Sequence, residues 1–224
     1  MTNSRETFLQ RVRQAVAEGN RAGGAPPLPE RGTIGYQGAG SDPVARFRDE
    51  LTAAGGMPHI VADDAAAAAK VLELVAANSV RKALVGHGRV IDRLALPERL
   101  RTAGIEVATV DALPAGAERD TLFAADVGIS GVDHLIAETG SLAILTKPDE
   151  PRSLSLLPPV HIVVAERAQL LPDLFDLFAG SGEMPSCLTL ITGPSKTGDI
   201  ELRLVTGVHG PGEVHVVLID SARR

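Results

Sequence analysis

The sequence predicts an α/β protein: a three-layer α/β/α domain around an open, mostly parallel sheet, preceded by an N-terminal helical arm. Three observations carry this reading. Apolar runs of strand length alternate with helical segments through the first half of the chain, the pattern of strands joined by right-handed crossovers. The runs are rich in Val, Ile and Leu, as strands buried on both faces require. The 224 residues are 44% hydrophobic but only 3% aromatic, with no tryptophan, so the core is aliphatic.

The elements follow in order. Phe8, Leu9, Val12, Ala15 and Val16 recur at helical spacing and predict an amphipathic helix over residues 3–18. Gly19 to Ser41 is rich in Gly and Pro and reads as a connection, so residues 1–41 form an arm and 42–224 the domain. Asp42 followed by Pro43 marks a helix start, with Val44, Phe47 and Leu51 as its buried face. "PHIVA" is a strand, "DAAAAAKVLELVAAN" a helix, "KALVG" a strand, and "IEVATV" another after a helix near Pro97–Ala103. "AERDTLFAA" supplies one more helix.

The second half changes character. "DVGISG", "DHLIAE" and "SLAILT" lie too close together for helical crossovers, which predicts an antiparallel or sharply turned section. "PPVHIVVAE" is a buried strand and "AQLLPDLFDLF" a helix with Pro172 near its first turn. "CLTLIT" and "VHVVLID" complete the strands.

Composition excludes several function classes. A net charge of −6 without a basic block gives no nucleic-acid footprint. Cys187 is the only cysteine, so these residues offer neither an internal disulfide nor a cysteine-ligated cluster. The histidine spacing matches no zinc motif, and no metal or cofactor is read from the chain. The first residues lack the apolar core of a secretion signal, and no run is long enough to span a bilayer, so a cytoplasmic protein is expected.

Two loops are the leading site candidates. "TGPSKTGDIE", Thr192 to Glu201, lacks the Gly-Lys-Ser/Thr order of a phosphate-binding P-loop. Its backbone around Gly193 can still form an anion nest, with charge from Lys196 and hydroxyls from Ser195 and Thr197. Asp199 is placed to cap a helix "IELRLV". The plainer alternative is that Ser195, Thr197 and Asp199 are turn and capping residues. In "AETGSL", Glu138 interrupts an apolar run beside Thr139, Gly140 and Ser141. Burying a lone carboxylate is costly, so Glu138 either bonds to nearby amides as a structural acid or serves as a nucleophile or general base. Both loops follow strands, and strand carboxyl ends are where parallel sheets bind ligands. The expectation is therefore one cleft with Glu138, Thr139, Gly140 and Ser141 on one wall. Gly193, Ser195, Lys196, Thr197 and Asp199 form the other, around a small anionic or phosphorylated ligand. "LVGHGRV", with Gly86, His87 and Gly88, and "GISGVDH", with Asp133 and His134, are weaker signals.

Read in order, "GISGVDHLIAETGSLAIL", "PPVHIVV", "ITGPSKTGDIE" and "GVHGPGEVHVVLID" resemble the lactate-utilisation protein C family, also called the LUD domain, from Asp42 to Asp220. The resemblance implies a fold similar to sugar-phosphate isomerases and CoA transferases. It also implies a cluster-free accessory or regulatory subunit of a bacterial system oxidising L-lactate to pyruvate, acting with iron–sulfur partner proteins. Glu138-Thr139-Gly140 resembles the Glu-Asn-Gly setting of the CoA-transferase nucleophile, with Thr for Asn. An enzyme using Glu138 as nucleophile or base therefore stays open as the alternative, and so does a homo-oligomer.

Overall fold

A computed structural model describes residues 4–19, 38–112, 118–147, 150–179, 186–198 and 205–221. They fall into two units, one holding helix α1 (Ser4–Gly19) and the other everything from residue 38 onward. In α1 the stripe of Phe8, Leu9, Val12 and Val16 is exposed.

The larger unit starts with α2 (Pro43–Ala53). Asp42 caps it, its Oδ1 accepting from Val44 N at 3.1 Å and Ala45 N at 3.0 Å, and Val44, Phe47 and Leu51 are buried. Strand β1 (Met57–Val61) leads to α3 (Asp64–Ala77), capped by Asp63. Then come β2 (Lys82–Val85), the short helices α4 (Arg89–Arg93) and α5 (Leu96–Thr102), and β3 (Glu106–Thr109). Helix α6 (Glu118–Ala124) precedes β4 (Val127–Ser130). A hairpin follows, β5 (His134–Ile136) and β6 (Ser141–Leu145), before the long strand β7 (Val160–Glu166). The remainder is β8 (Leu170–Leu171), α7 (Leu174–Ala179), β9 (Leu188–Ile191), β10 (Lys196–Thr197), β11 (Val205–Thr206) and β12 (Glu213–Ile219).

Six strands form a wholly parallel sheet in the order β1-β12-β7-β4-β2-β3. The expected three-layer α/β fold with a mostly parallel sheet is what these residues adopt. One face packs Val85, Val127, Ile129, Ile162 and Val217 against α3, α4 and α5. The other packs Val163, Val216 and Leu218 against Phe47 and Leu51 of α2 and Leu135 and Leu142 of the hairpin. That second outer layer is part helix and part sheet, because β8-β5-β6-β9 form a mostly antiparallel sheet. Burial on both faces explains why β7 and β12 read as unbroken apolar runs.

One element differs from the sequence reading. "AQLLPDLFDLF" is not a single helix: Leu170 and Leu171 pair with Leu135 and Ile136, and the helix begins only at Leu174. Strand β5 otherwise has an open edge, and two leucines that close it outweigh their helical propensity. Asp173 then starts the helix, accepting from Asp176 N at 3.0 Å. The expected helix "IELRLV" and its cap Asp199 lie mostly outside the described residues; Val205, where it would end, is in β11.

Gly140 fixes how the hairpin sits. Its φ is +64°, and a Cβ there would overlap the backbone nitrogen of Leu51 in α2. Gly193, with φ +77°, approaches α2 in the same way, a Cβ there falling 2.6 Å from Ala54 O.

His161 is a buried polar group inside the sheet. Ser130 Oγ donates to Gly131 O at 2.8 Å, so it accepts from His161 Nε2 at 2.9 Å. His161 Nδ1 has no partner among the described residues, and burial pushes its pKa down to about 4. At the sheet edge His59 and His215 stack at 5.4 Å between centroids. Burial, then the neighbouring His215, lowers His59; burial lowers His215 against the opposing pull of Glu213.

Two outcomes are expected. Gly140→Ala should cost about 2–4 kcal/mol, from overpacking plus left-handed strain, read as a lowered urea midpoint. Gly131→Ala, where a Cβ meets nothing closer than His87 O at 4.0 Å, should change it little. The histidines set a pH dependence: the unfolded chain takes up protons below about 6.5, while folded His161 resists until about 4. Stability is therefore complete above pH 6.5 and falls between pH 6.5 and 4, with about 3 kcal/mol from His161. Urea unfolding at pH 7 and 4.5 measures the fall, and His161→Gln should flatten it.

Candidate functional site

Strands β2 and β4 are neighbours, but the chain leaves them in opposite directions, β2 toward β3 and β4 toward β7. At such a switch point the loops after the strands diverge and leave a crevice at the carboxyl ends. Here the crevice is a cavity of about 220 Å³ lined by His87, Gly88, Arg89, Gly131, Asp133, Lys147, Glu166 and Gln169. His87 and Gly88 come from the β2–α4 loop and Arg89 from the start of α4, and Gly131 and Asp133 from the loop after β4. Lys147 arrives from the end of β6, and Glu166 and Gln169 from the end of β7.

Each charged wall residue is held. Asp133 Oδ2 accepts from Leu145 N at 2.8 Å, and its Oδ1 lies 3.0 Å from Lys147 Nζ. The open end of the hairpin is thus tied across the cleft floor. Gln169 Nε2 donates to Val132 O, while its Oε1 accepts from Glu166 N at 2.8 Å, joining the β4 and β7 loops. Glu166 is paired with two arginines, Arg89 and Arg93, the latter at 2.7 Å. Two ion pairs, Lys147 with Asp133 and Arg89 with Glu166, therefore border a small polar space. Such a lining can hold a carboxylate on one side and accept from hydroxyls on the other.

The residues expected from sequence sit elsewhere. Glu138, Thr139 and Gly140 lie in the turn of the hairpin and Ser141 opens β6, and the two expected loops do meet: Ser141 Oγ is 2.6 Å from Thr192 Oγ1. They meet at the amino ends of the parallel strands, not the carboxyl ends. Ser195 N donates to Pro211 O at 2.9 Å, and Gly212 N to Pro159 O at 2.9 Å, just ahead of β12 and β7. The carboxyl-end placement is thereby corrected. The rule for ligand sites concerns crossover strands, whereas β5 and β9 belong to the antiparallel sheet.

The bonds at this end are largely internal. Thr139 Oγ1 is 2.8 Å from Ser141 Oγ, and Ser195 Oγ accepts from His209 N at 3.3 Å. Lys196 Nζ donates to Ala54 O at the C-terminus of α2, where a cation favours the helix dipole. Thr197 pairs with Val205 across β10 and β11. Glu138 is half-buried, its N donating to Pro172 O at 3.0 Å, and Asp199 lies outside the described residues.

Sequence reasoning singled out Gly86–Gly88 and Asp133 but passed over Arg89, Lys147, Glu166 and Gln169. Glu166 carried a signal: a carboxylate closing a buried parallel strand stands where such sheets bind ligands. Lys147 reaches the cleft only because the hairpin folds back, which no local pattern encodes.

Among the described residues no group of three His, Cys, Asp or Glu is placed to hold a metal ion. No described helix is long and apolar enough to cross a membrane.

Residues 44–219 match the family model described as the LUD domain. The chain is 38% identical over 104 residues to "Lactate utilization protein C" of Halalkalibacterium halodurans, covering 43% of this chain and 45% of that protein. It is 35% identical over 104 residues to the protein of the same name from Bacillus subtilis, covering 43% of each. The chain thus spans less than half the length of these curated relatives. Its fold is similar to the crystal structure of a DUF162 family protein from Deinococcus radiodurans, with a TM-score of 0.53 and 21% identity. That likeness covers 80% of this chain and 96% of the other. The family match takes in the parallel sheet, the hairpin and the switch-point cleft alike, and the chain belongs to the LUD domain family.

Proposed function

We propose that the protein acts in lactate utilisation as a cytoplasmic accessory subunit that holds a small anionic ligand in the switch-point cleft. The observation that carries the site is the convergence of Arg89, Lys147, Asp133 and Glu166 at the carboxyl ends of β2, β4 and β7. The pathway rests on the naming of the relatives. Arg89, at the border of the cleft, meets the anionic end of the ligand, while Lys147 and His87 donate to its polar end and Asp133 accepts from a hydroxyl there. Redox chemistry falls to the iron–sulfur partner proteins that the family resemblance implies, and a single cysteine fits a cluster-free component.

A second reading keeps the ligand set expected from sequence, apart from Asp199, which lies outside the described residues. It is favoured by the Thr139–Ser141–Thr192 hydroxyl chain beside half-buried Glu138. In that reading Thr139, Gly140, Ser141, Gly193, Ser195, Lys196 and Thr197 hold the ligand, and Glu138 is nucleophile or base of a transferase or isomerase.

Thermal stabilisation separates the two. Lactate, pyruvate, inorganic phosphate and acyl-CoA are titrated against the protein, and a ligand at one hundred times its Kd should add about 2.7 kcal/mol. The shift should vanish in Lys147→Ala and His87→Ala and survive in Lys196→Ala and Glu138→Gln. The reverse pattern would move the site to the hairpin turn, and turnover lost in Glu138→Gln with binding intact would establish the enzyme.

The partner proposal is tested separately. Deleting residues 1–36, with the exposed stripe of α1, should abolish co-purification with the iron–sulfur proteins while the urea midpoint of the remaining domain, which keeps buried Ala39, is unchanged. Co-purification that persists would place docking elsewhere.

A further inference from the structure

A second and larger cavity, of about 520 Å³, adjoins the cleft at the carboxyl ends of β1, β7 and β12. The two share Arg89 and Glu166 as lining residues. Its walls also carry Arg93, Arg167 and Ser221, with Asp63 and Asp64 on the β1 side. Apart from Arg89 and Glu166 this cavity has no part in the proposal above, and its three guanidinium groups differ in what holds them.

Arg93 is clamped. It donates to Asp64 through Nε at 2.8 Å and Nη2 at 3.0 Å, and reaches Glu166 at 2.7 Å. Arg167 is anchored through Nη1 to Asp220 at 2.9 Å, and Asp220 is only 1% exposed. A buried carboxylate left without its cation is costly, so Arg167 stays, and its remaining N–H groups are available to the cavity. Arg89 is different. It is 75% exposed and pairs with Glu166, which also holds Arg93, a cation shared with Asp64. Arg89 can therefore leave Glu166 at little electrostatic cost, since the carboxylate keeps a cation.

We infer that the larger cavity is a phosphate subsite of the same cleft, in which Arg89 swings from Glu166 onto the phosphate and Arg167 meets it from the β7 side. The ligand is a small phosphate ester whose polar, unphosphorylated end lies in the switch-point cleft. A phosphate offers more acceptor oxygens than a carboxylate, and two guanidinium forks with the Ser221 hydroxyl supply the donors for them. The inference rests on the switch-point cleft being the binding site, because the two cavities join at Arg89.

Isothermal titration of the full chain with glycerol 3-phosphate, inorganic phosphate, glycerol and lactate tests it. Both phosphate compounds should bind, glycerol 3-phosphate more tightly. Arg89→Ala should weaken each by about tenfold or more, the equivalent of one lost charge-assisted hydrogen bond. Arg167→Lys keeps the pairing with Asp220 but removes the fork, and it should weaken both phosphate compounds while leaving the urea midpoint unchanged. Lys147→Ala should reduce glycerol 3-phosphate to the affinity of inorganic phosphate. Binding of lactate without phosphate compounds would overturn the subsite and leave the proposed function standing. Phosphate binding indifferent to both arginine variants would overturn the inference as well.

Discussion

The seating of the β5–β6 hairpin on α2 is the constraint on which the site depends. Gly140 and Gly193 bring two loops against the last turns of one helix, closer than any side chain permits. Ser141 and Thr192 bond across the gap, and Lys196 closes on the helix carbonyl at Ala54. With its turn fixed there, the hairpin runs along the sheet face and its open end arrives at the opposite edge. That end carries Asp133 and Lys147, tied by Leu145 N and by each other. A displacement of the turn by one residue would turn the buried face of β6 outward and carry Lys147 out of the cleft.

The carboxyl edge of the sheet is held by charge rather than by apolar contact. Glu166, at the end of β7, gathers Arg89 and Arg93, and Arg93 reaches on to Asp64 beyond β1. Arg167 ties the same region to Asp220 at the end of β12. Exposed ion pairs taken singly contribute little, but groups bridging several strand ends fix the loops relative to one another. Because Glu166 has two cations, one can be drawn away without leaving a bare carboxylate. The network therefore combines two arginines each bonded to a carboxylate beyond Glu166 or at the end of β12, Arg93 and Arg167, with one exposed member, Arg89.

Much of the fold was legible because it is written in local periodicity. Strands buried on both faces appear as apolar runs, and Asp42-Pro43 marks the start of α2 as the structure has it. The LUD resemblance was legible too, since its motifs are contiguous. What failed locally was decided by distant pairing. Leu170 and Leu171 carry a helical pattern, yet they serve the open edge of β5, where Leu135 and Ile136 are their partners. A window of sequence holds no record of that edge.

The candidate site divides in the same way. Residue types in "AETGSL" and "TGPSKTG" suit ligand chemistry and suit tight packing equally, because glycines, hydroxyls and a lysine serve both. Only the end of the sheet at which they lie separates the two uses, and strand direction is set by topology. At the amino ends, Lys196 faces the negative end of α2, and the helix itself is the partner its charge meets. At the carboxyl ends the loops after β2, β4 and β7 stand apart, and their charged groups border open space. Donors already matched to backbone hold a turn in place; donors arranged around a cavity are the ones the proposed ligand would meet.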